Sequence, residues 1–164
     1  MTKKSAEFGM VLVSVFLFSY AANFIWESLH AVFLYEGHDF NAEKYVRMIS
    51  YVSGVDGLII LGIYLFIAVV WRNILWLKEM NKKQGLAVFL LGMVIAAMIE
   101  YRKVFLVKAW TYNPLMPTIF GIGMSPLLQL SMTGMLALWL TRRLLYQKGV
   151  YFRGPHRISE QHED

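Results

Sequence analysis

The chain has 164 residues, of which 57% are hydrophobic, and it carries a formal net charge of +5. This content is too apolar for an ordinary soluble domain, and the length suffices for about four membrane spans with short connections. The basic residues fall at the ends of the apolar stretches, so the positive charge does not indicate a nucleic-acid partner. The absence of cysteine excludes disulfides, iron–sulfur clusters and thiol catalysis.

Four apolar stretches each approach or exceed the roughly 20 residues that a helix needs to cross a bilayer. They lie near Phe8–Leu34, Ile49–Trp71, Gly85–Val107 and Thr118–Leu140. We therefore predict an all-α fold. Residues 1–148 are expected to form an integral membrane four-helix transmembrane bundle embedded in the lipid bilayer. The polar residues 149–164 are predicted to form a mobile cytoplasmic tail.

Lysine and arginine are distributed unevenly between the connections of such a bundle. Eleven fall on the side of the two termini and five on the other side. Because cytoplasmic segments are enriched in these residues, both termini are predicted to be cytoplasmic, with the connections Tyr35–Met48 and Lys108–Pro117 outside. The connection Arg72–Gln84 combines cations with Trp76, and Trp71 directly precedes it, which is typical of an anchor at the membrane surface.

The first apolar stretch carries a polar stripe. Tyr20, Asn23, Glu27 and His30 are spaced by three, four and three residues, which places them on one face of a helix. The rest of this helix is almost wholly apolar, so the stripe is predicted to face the interior of the bundle.

Each of the other stretches contributes one further polar residue, namely Asp56, Glu100 or Gln129. We place Glu27, Asp56 and Glu100 about two turns from the outer ends of their helices and Gln129 nearer the middle of its helix. A carboxylate in hydrocarbon costs about 3 kcal/mol on insertion scales, so acids at a shared depth favour a functional site. The sequence predicts an intramembrane pocket with Glu27, Asp56, Glu100 and His30 as catalytic candidates.

The segment between the third and fourth helices contains a more specific pattern. It reads Trp110-Thr111-Tyr112-Asn113-Pro114, then Pro117, Gly121, Gly123 and Ser125-Pro126-Leu127-Leu128-Gln129. Over about Glu100–Leu130 the chain resembles the membrane-embedded lycopene cyclase domain of the heterodimeric type. The resemblance implies that Glu100 takes the place of an acidic residue on the helix before the tryptophan. Where that family has paired glutamates after the proline, this chain has Leu128 and Gln129.

More loosely, a compact membrane protein with four helices and inward acids is similar to the emopamil-binding and sterol-isomerase group. Both resemblances imply protonation of an isoprenoid double bond by a carboxylic acid, with aromatic rings facing the resulting cation. We expect a pocket that binds a hydrophobic isoprenoid or sterol-like molecule, and isomerisation or cyclisation of that molecule is left open. The predicted ligand-binding residues are Tyr20, Asn23, Trp26, Trp110, Tyr112, Asn113, Pro126 and Gln129.

No cofactor and no metal is predicted. Glu27 and His30 form one Glu-x-x-His unit, whereas di-iron bundles need two.

Two other functions stay open. One is a proton- or cation-coupled transporter or channel subunit with Glu27, Asp56 and Glu100 as a relay, which requires a homo-oligomer because four helices are few. The other is a structural or assembly protein in which the acids pair with Arg102, Lys103 or His30.

Overall fold

The computed structural model describes residues 2–35 and 41–147, and this part of the chain is mostly helical. The four α-helices are α1 (Lys3–Phe33), α2 (Ala42–Val70), α3 (Lys82–Tyr101) and α4 (Met124–Arg142). A short 3-10 helix, Trp76–Glu79, lies between α2 and α3, and π-helical turns follow α3 and α4 over Arg102–Leu106 and Arg143–Gln147. Two short strands, β1 (Thr118–Ile119) and β2 (Ile122–Gly123), form an antiparallel hairpin. The predicted tail over residues 149–164 lies outside the described residues.

Polar caps determine where the first three helices begin. The side chain of Thr2 accepts a hydrogen bond from the Ser5 amide at 3.3 Å, and that of Asn41 accepts one from the Lys44 amide at 3.3 Å. Asn81 and Gln84 form a reciprocal capping box before α3. These side chains satisfy amide groups that the first helical turn leaves unpaired.

Three helices of the described ranges are long and apolar enough to cross a membrane: α1, α2 and α3 with its π-helical extension. The all-α prediction and membrane association are supported to that extent. Helix α4 differs from the predicted fourth apolar span because its buried residues include four polar side chains. They are Gln129, Ser131, Thr133 and Thr141. Since α4 packs mainly against α1 and α3, these groups lie inside the protein.

The prediction of a helix from Thr118 was wrong. Residues 118–123 form the hairpin, and its two central residues, Phe120 and Gly121, have positive φ angles of 51° and 77°. This is the backbone geometry of a tight two-residue hairpin turn. A short apolar run such as Thr118–Gly123 does not distinguish a strand from a helix by its periodicity.

Helix α2 begins seven residues before the predicted Ile49, so part of the predicted Tyr35–Met48 connection is helical. The Asn41 cap and an exposed ion pair between Glu43 and Arg47, at 2.7 Å, support this first part of α2. Asp56 consequently lies in the middle of its helix rather than two turns from the end. Because α4 starts only at Met124, Gln129 lies near the start of its helix rather than the middle.

The helices are arranged in the order α2, α1, α4, α3. Helix α1 contacts α2 and α4 extensively, α3 contacts α4, and the contact between α2 and α3 is much smaller. At the contact of α3 with α4, a Cβ atom on Gly92 would lie 2.9 Å from the Ser131 backbone. Glycine is therefore required there, and the bundle is least closed between α2 and α3.

One end of the bundle has an apolar interior, which we call the apolar half. Its buried apolar residues belong mainly to α1, α2 and the 3-10 helix, joined by Val88 of α3 and Leu138 of α4. Those of the first three elements are Val11, Val15, Ile60, Ile63, Tyr64, Ile67, Trp76 and Leu77. Glu7, Gln84 and Thr141 are polar residues buried toward the end of this half. The predicted surface anchor in the Arg72–Gln84 connection is only partly correct, because Trp76 and Leu77 are buried. The Trp76 indole N–H donates to the Tyr64 carbonyl at 3.2 Å, which explains how its polar atom tolerates burial.

Candidate functional site

The opposite end of the bundle contains a cavity of about 210 Å³. All four helices line it, and we call this end the cavity half. Its polar lining consists of Glu27, Asp56, Glu100 and Gln129. The other lining residues are apolar or aromatic: Ala31, Tyr35, Met48, Ile49, Val52, Ala96, Ile99, Trp110, Pro126 and Leu130. The cavity is thus a largely apolar space with carboxyl groups on its walls.

The side-chain amide of Gln129 connects two of these carboxyl groups. Its Nε2 atom lies 2.6 Å from Glu27 Oε1 and 3.1 Å from Asp56 Oδ2. The same nitrogen lies 3.1 Å from Asn23 Oδ1. An amide nitrogen carries only two hydrogens, so three oxygens compete for two donors. Glu27 and Asp56 therefore sit side by side without a full set of hydrogen bonds from Gln129.

Asn23 and Thr133 orient this amide. The Asn23 Nδ2 group donates to the Ser19 carbonyl at 2.9 Å, which directs the Asn23 oxygen toward Gln129. The Thr133 hydroxyl lies 2.7 Å from the Gln129 carbonyl and 3.2 Å from Asn23 Oδ1. Asn23 and Thr133 are both buried. Their contacts fix the position from which Gln129 reaches the two acids.

Glu100 stands apart from this pair, on α3. Its carboxyl group accepts a hydrogen bond from the Tyr112 hydroxyl, and the buried indole N–H of Trp110 lies nearby without completing a hydrogen bond. Burial and the hydrogen bond to Glu100 raise the pKa of Tyr112, so this phenol remains an O–H donor. Lys103 covers the Trp110 ring, with Nζ 5.5 Å from the ring centroid. The cation of Lys103 therefore contacts an aromatic face.

No lysine or arginine of the described ranges lies within ion-pair distance of Glu27, Asp56 or Glu100. The internal pairing of these acids with Arg102 or Lys103, considered above, is not the arrangement in this structure. Buried carboxyl groups without a cation are costly, and such groups inside a membrane protein indicate function rather than stabilisation.

His30 is buried but does not line the cavity. Its Nε2 atom accepts a hydrogen bond from the Trp26 indole at 3.0 Å and is also hydrogen-bonded to the Ser125 hydroxyl. Since Nε2 accepts, we assign the imidazole proton to Nδ1, which is buried without a partner. The ring packs edge-on against Tyr35 at 5.8 Å. His30 thus joins α1 to the start of α4.

An aromatic cluster covers the cavity beyond the end of α1. The Tyr35 ring lies 5.8 Å from that of Trp110 and 5.5 Å from that of Tyr112. Burial and the nearby Glu100 carboxyl raise the pKa of Tyr35. Asn113 holds the cover in place, because its Nδ2 group donates to the Phe33 carbonyl at 2.6 Å.

The structure brings together only part of the predicted site. Six predicted residues line the cavity: Glu27, Asp56, Glu100, Trp110, Pro126 and Gln129. Asn23 and Tyr112 reach it through hydrogen bonds. His30, Trp26 and Asn113 support its surroundings, whereas Tyr20 packs between Phe16 and Phe24.

Sequence reasoning missed several lining residues. Ile49 and Val52 precede Asp56 by seven and four positions, so helical periodicity alone could have placed them on the same face. Ala31 follows Glu27 by four positions in the same way. Tyr35 gave no such signal because it lies beyond the end of α1.

Fold and site together define a class: an apolar all-α protein with a carboxyl-lined cavity enclosed by four helices. In the part of the chain that the structure describes, no three His, Asp or Glu side chains are grouped to hold a metal ion. The chain matches no family model, and no curated protein or solved structure is significantly similar to it. The resemblance to the lycopene cyclase domain therefore stays a prediction.

Proposed function

We propose that all four helices cross the membrane and that both termini are cytoplasmic. The three apolar helices support the membrane location, and α4 with its π-helical turn has a similar length. The apolar half carries Arg72, Lys82, Lys83, Arg142 and Arg143 at the ends of its helices, as expected for a cytoplasmic side. The cavity half then lies toward the outer leaflet.

The absence of cysteine makes this topology directly testable. Single cysteines are introduced as Leu115→Cys, in the cavity half, and Lys4→Cys, at the start of α1. A membrane-impermeant thiol reagent applied to intact cells is expected to label the first variant and to label the second only after permeabilisation. The reverse labelling pattern would contradict the proposed orientation.

We further propose that the cavity binds the end group of a hydrophobic, isoprenoid or sterol-like molecule. The observation that carries this proposal is the placement of three carboxyl groups, with no cationic partner among residues 2–35 and 41–147, on a largely apolar cavity with an aromatic cover. A cavity of about 210 Å³ suits a ring or a chain end, since an engineered cavity of about 150 Å³ holds benzene. The rest of a larger ligand has to lie outside this cavity.

The arrangement supports proton-transfer chemistry on an alkene. The Glu27–Asp56 pair is assigned the donor role, because both carboxyl groups contact Gln129 Nε2 and two carboxylates held this close are less stable than a carboxylate beside a carboxylic acid. The proton forms a C–H bond at one alkene carbon, and the positive charge develops on the other carbon near the faces of Trp110 and Tyr35. Glu100, which accepts a hydrogen bond from Tyr112, removes a proton from a neighbouring carbon.

The ligand then has a shifted double bond and an unchanged formula and charge. One proton has passed from the Glu27–Asp56 pair to Glu100, and it must return to the pair before the next turnover. If a second double bond of the same ligand attacks the cation before that proton leaves, the product is a ring. Neither outcome requires a cofactor.

A proton- or cation-coupled transporter remains the alternative, but the apolar half gives it little support. On α1 the buried face changes from Asn23 and Ser19 to Val15 and Val11, and the facing residues of α2 are equally apolar. A relay through Glu27, Asp56 and Glu100 is interrupted by these apolar side chains before it reaches Glu7, the buried acid at the start of α1. Proton flux in liposomes that depends on Glu27 would favour the alternative.

The test is mass spectrometry of the lipids that remain bound to the full chain purified in mild detergent. Wild type is compared with Asp56→Asn and Glu100→Gln, and with Glu43→Gln as the matched control. Glu43 is an exposed acid at the start of α2 that does not line the cavity. We expect an enriched isoprenoid or sterol in wild type and in Glu43→Gln, and its loss or chemical change in the two cavity variants.

The outcome also separates the functions. A variant that retains the same amount of ligand but with an altered ratio of double-bond isomers indicates an enzyme. A variant that only retains less ligand indicates a binding protein. Bulk phospholipid alone in every sample, including wild type, would refute the ligand proposal and leave the relay and assembly functions.

A further inference from the structure

A second apolar space lies along the side of the bundle that is least closed. It is a groove of about 300 Å³ between α2 and α3. Its lining residues are all apolar or glycine: Ile59, Gly62, Ile63 and Phe66 of α2, with Leu91 and Ile95 of α3. No polar group interrupts the groove, so it suits hydrocarbon and not a charged head group.

The groove continues the cavity along the same two helices. On α2 the cavity is lined as far as Asp56, and the groove begins one turn later at Ile59. On α3 the cavity residue Ala96 is followed, in the direction of the apolar half, by the groove residue Ile95. The cavity and the groove therefore follow one another along the gap between α2 and α3, which we call the seam.

The seam extends over most of the hydrocarbon thickness of a bilayer. From Met48 in the cavity to Phe66 in the groove, α2 rises by about 27 Å at 1.5 Å per residue. The hydrocarbon core of a bilayer is about 30 Å thick.

We infer that the groove binds the hydrocarbon chain of the same molecule whose end group enters the cavity, and that this molecule is a long-chain isoprenoid lying between α2 and α3. The inference rests on the proposed function of the cavity. It adds the class of ligand, a linear chain rather than a compact polycyclic molecule. It also adds the route of entry, which is lateral from the bilayer through the seam.

A helix from a second copy is a poorer occupant. Close helix packing in lipid uses small residues spaced by four positions. Gly62 has Leu58 and Phe66 at those positions instead, and both are exposed. A Cβ atom on Gly62 would meet nothing within 4 Å, so the space above this glycine is open. The large side chains of Leu58 and Phe66 keep a second helix from approaching closely, whereas a flexible chain can lie between them.

The test blocks the groove without touching the cavity. Gly62→Phe places a ring in the open space beside Ile63 and Ile95. The matched control is Gly54→Phe, which also has nothing within 4 Å of its Cβ position but does not line either space. Each full-chain variant is reconstituted in nanodiscs, and binding of geraniol and of geranylgeraniol is measured, two isoprenoid alcohols that share an end group and differ in chain length.

In wild type and in Gly54→Phe we expect the longer alcohol to bind at least tenfold more tightly. In Gly62→Phe we expect this preference to disappear while geraniol binds as before. A preference that survives Gly62→Phe, or wild-type binding that does not depend on chain length, would overturn the groove inference and leave the cavity proposal intact. Absence of binding of either alcohol to wild type would refute both.

The oligomeric state of wild type and of the two glycine variants provides a second test of the groove inference. If size-exclusion chromatography with light scattering shows that Gly62→Phe, but not Gly54→Phe, dissociates an oligomer of wild type, the groove is a contact between copies and the inference is wrong. An unchanged oligomeric state together with lost chain-length preference supports it.

Discussion

The apolar half and the cavity half are built from the same helices but differ in their buried faces. On α1 the inward positions recur every four residues, with Val11 and Val15 in one half and Ser19 and Asn23 in the other. Apolar side chains pack without directional requirements, whereas buried polar groups need partners at defined distances. The middle of the apolar half is therefore closed by packing, whereas the other half leaves a cavity lined by carboxyl groups.

The change occurs at the same level in neighbouring helices. On α2 it falls between Asp56 and Ile60, and on α4 between Thr133 and Ala137. This boundary is shared by three helices: on one side of it, apolar packing stabilises the bundle, and on the other side polar groups line the cavity. If the cavity binds the proposed ligand, substitutions in the two halves should differ in their effects: the largest loss of stability is expected in the apolar half, and loss of ligand retention in the cavity half alone.

Trp76→Ala should produce the largest effect on stability. Trp76 is only 1% exposed and stacks on Tyr64 at 5.2 Å, so its removal leaves a large hole in the apolar half. We expect a loss of about 3–5 kcal/mol in the free energy of unfolding, measured by thermal unfolding in detergent. The folded fraction should retain its ligand as wild type does.

Trp71→Ala is the matched control, because Trp71 is exposed at the end of α2. Its effect on unfolding should stay within about 0.5 kcal/mol. If Trp76→Ala instead removed the ligand while leaving the unfolding temperature unchanged, the division between the two halves would not hold.

Gln129→Leu should show the opposite signature. It removes the amide that Glu27, Asp56 and Asn23 share, while keeping a side chain of similar size. We expect a loss of about 1–3 kcal/mol in unfolding free energy, because buried acceptors lose their donor. Ligand retention, measured by mass spectrometry of the purified protein, should fall at least tenfold.

Thr141→Val is the control on the same helix. The Thr141 hydroxyl is buried in the apolar half without a hydrogen-bond partner, so its loss should not lower stability. Ligand retention should be unchanged as well. An equal loss of ligand in Thr141→Val and Gln129→Leu would mean that any polar change in α4 disturbs the bundle.

Helical periodicity determines which features of the two halves could be predicted from the sequence. The spacing of Asn23, Glu27 and His30 placed a polar face on α1 correctly, because the period of a helix is independent of its partners. The depth of Asp56 and Gln129 was misjudged, since it depends on helix ends set by the Asn41 cap and by the hairpin before α4. Periodicity carries no information about such local backbone features.

Contacts between segments that are distant in the sequence could not be predicted either. Glu27, Asp56 and Gln129 meet only because three helices pack at particular rotations. The position of Tyr35 over the cavity depends on an antiparallel backbone bridge to Tyr112, which is far from Tyr35 in the sequence. The sequence predicted which residue types belong to the site, but the partners of each residue required the structure.

Tyr112→Phe should give the smallest effect and sharpens the comparison within the cavity half itself. The Tyr112 hydroxyl donates to Glu100, and its ring packs on Tyr35. Because the substitution keeps the ring and removes only the donor, we expect a loss of about 0.5–1.5 kcal/mol in unfolding free energy. Tyr101→Phe, with an exposed ring on the same side of the bundle, is the control and should change neither stability nor ligand.

The amount and the isomer ratio of the bound ligand distinguish a positioning role of Tyr112 from a purely structural one. If Tyr112 holds Glu100 for proton removal, Tyr112→Phe should retain the ligand in wild-type amounts but alter its ratio of double-bond isomers. If the phenol only closes the cavity, retention should fall and the isomer ratio should stay the same. A variant that matches wild type in stability, retention and isomer ratio would show that Glu100 does not need this donor, and the assignment of Glu100 as the proton acceptor would lose its geometric support.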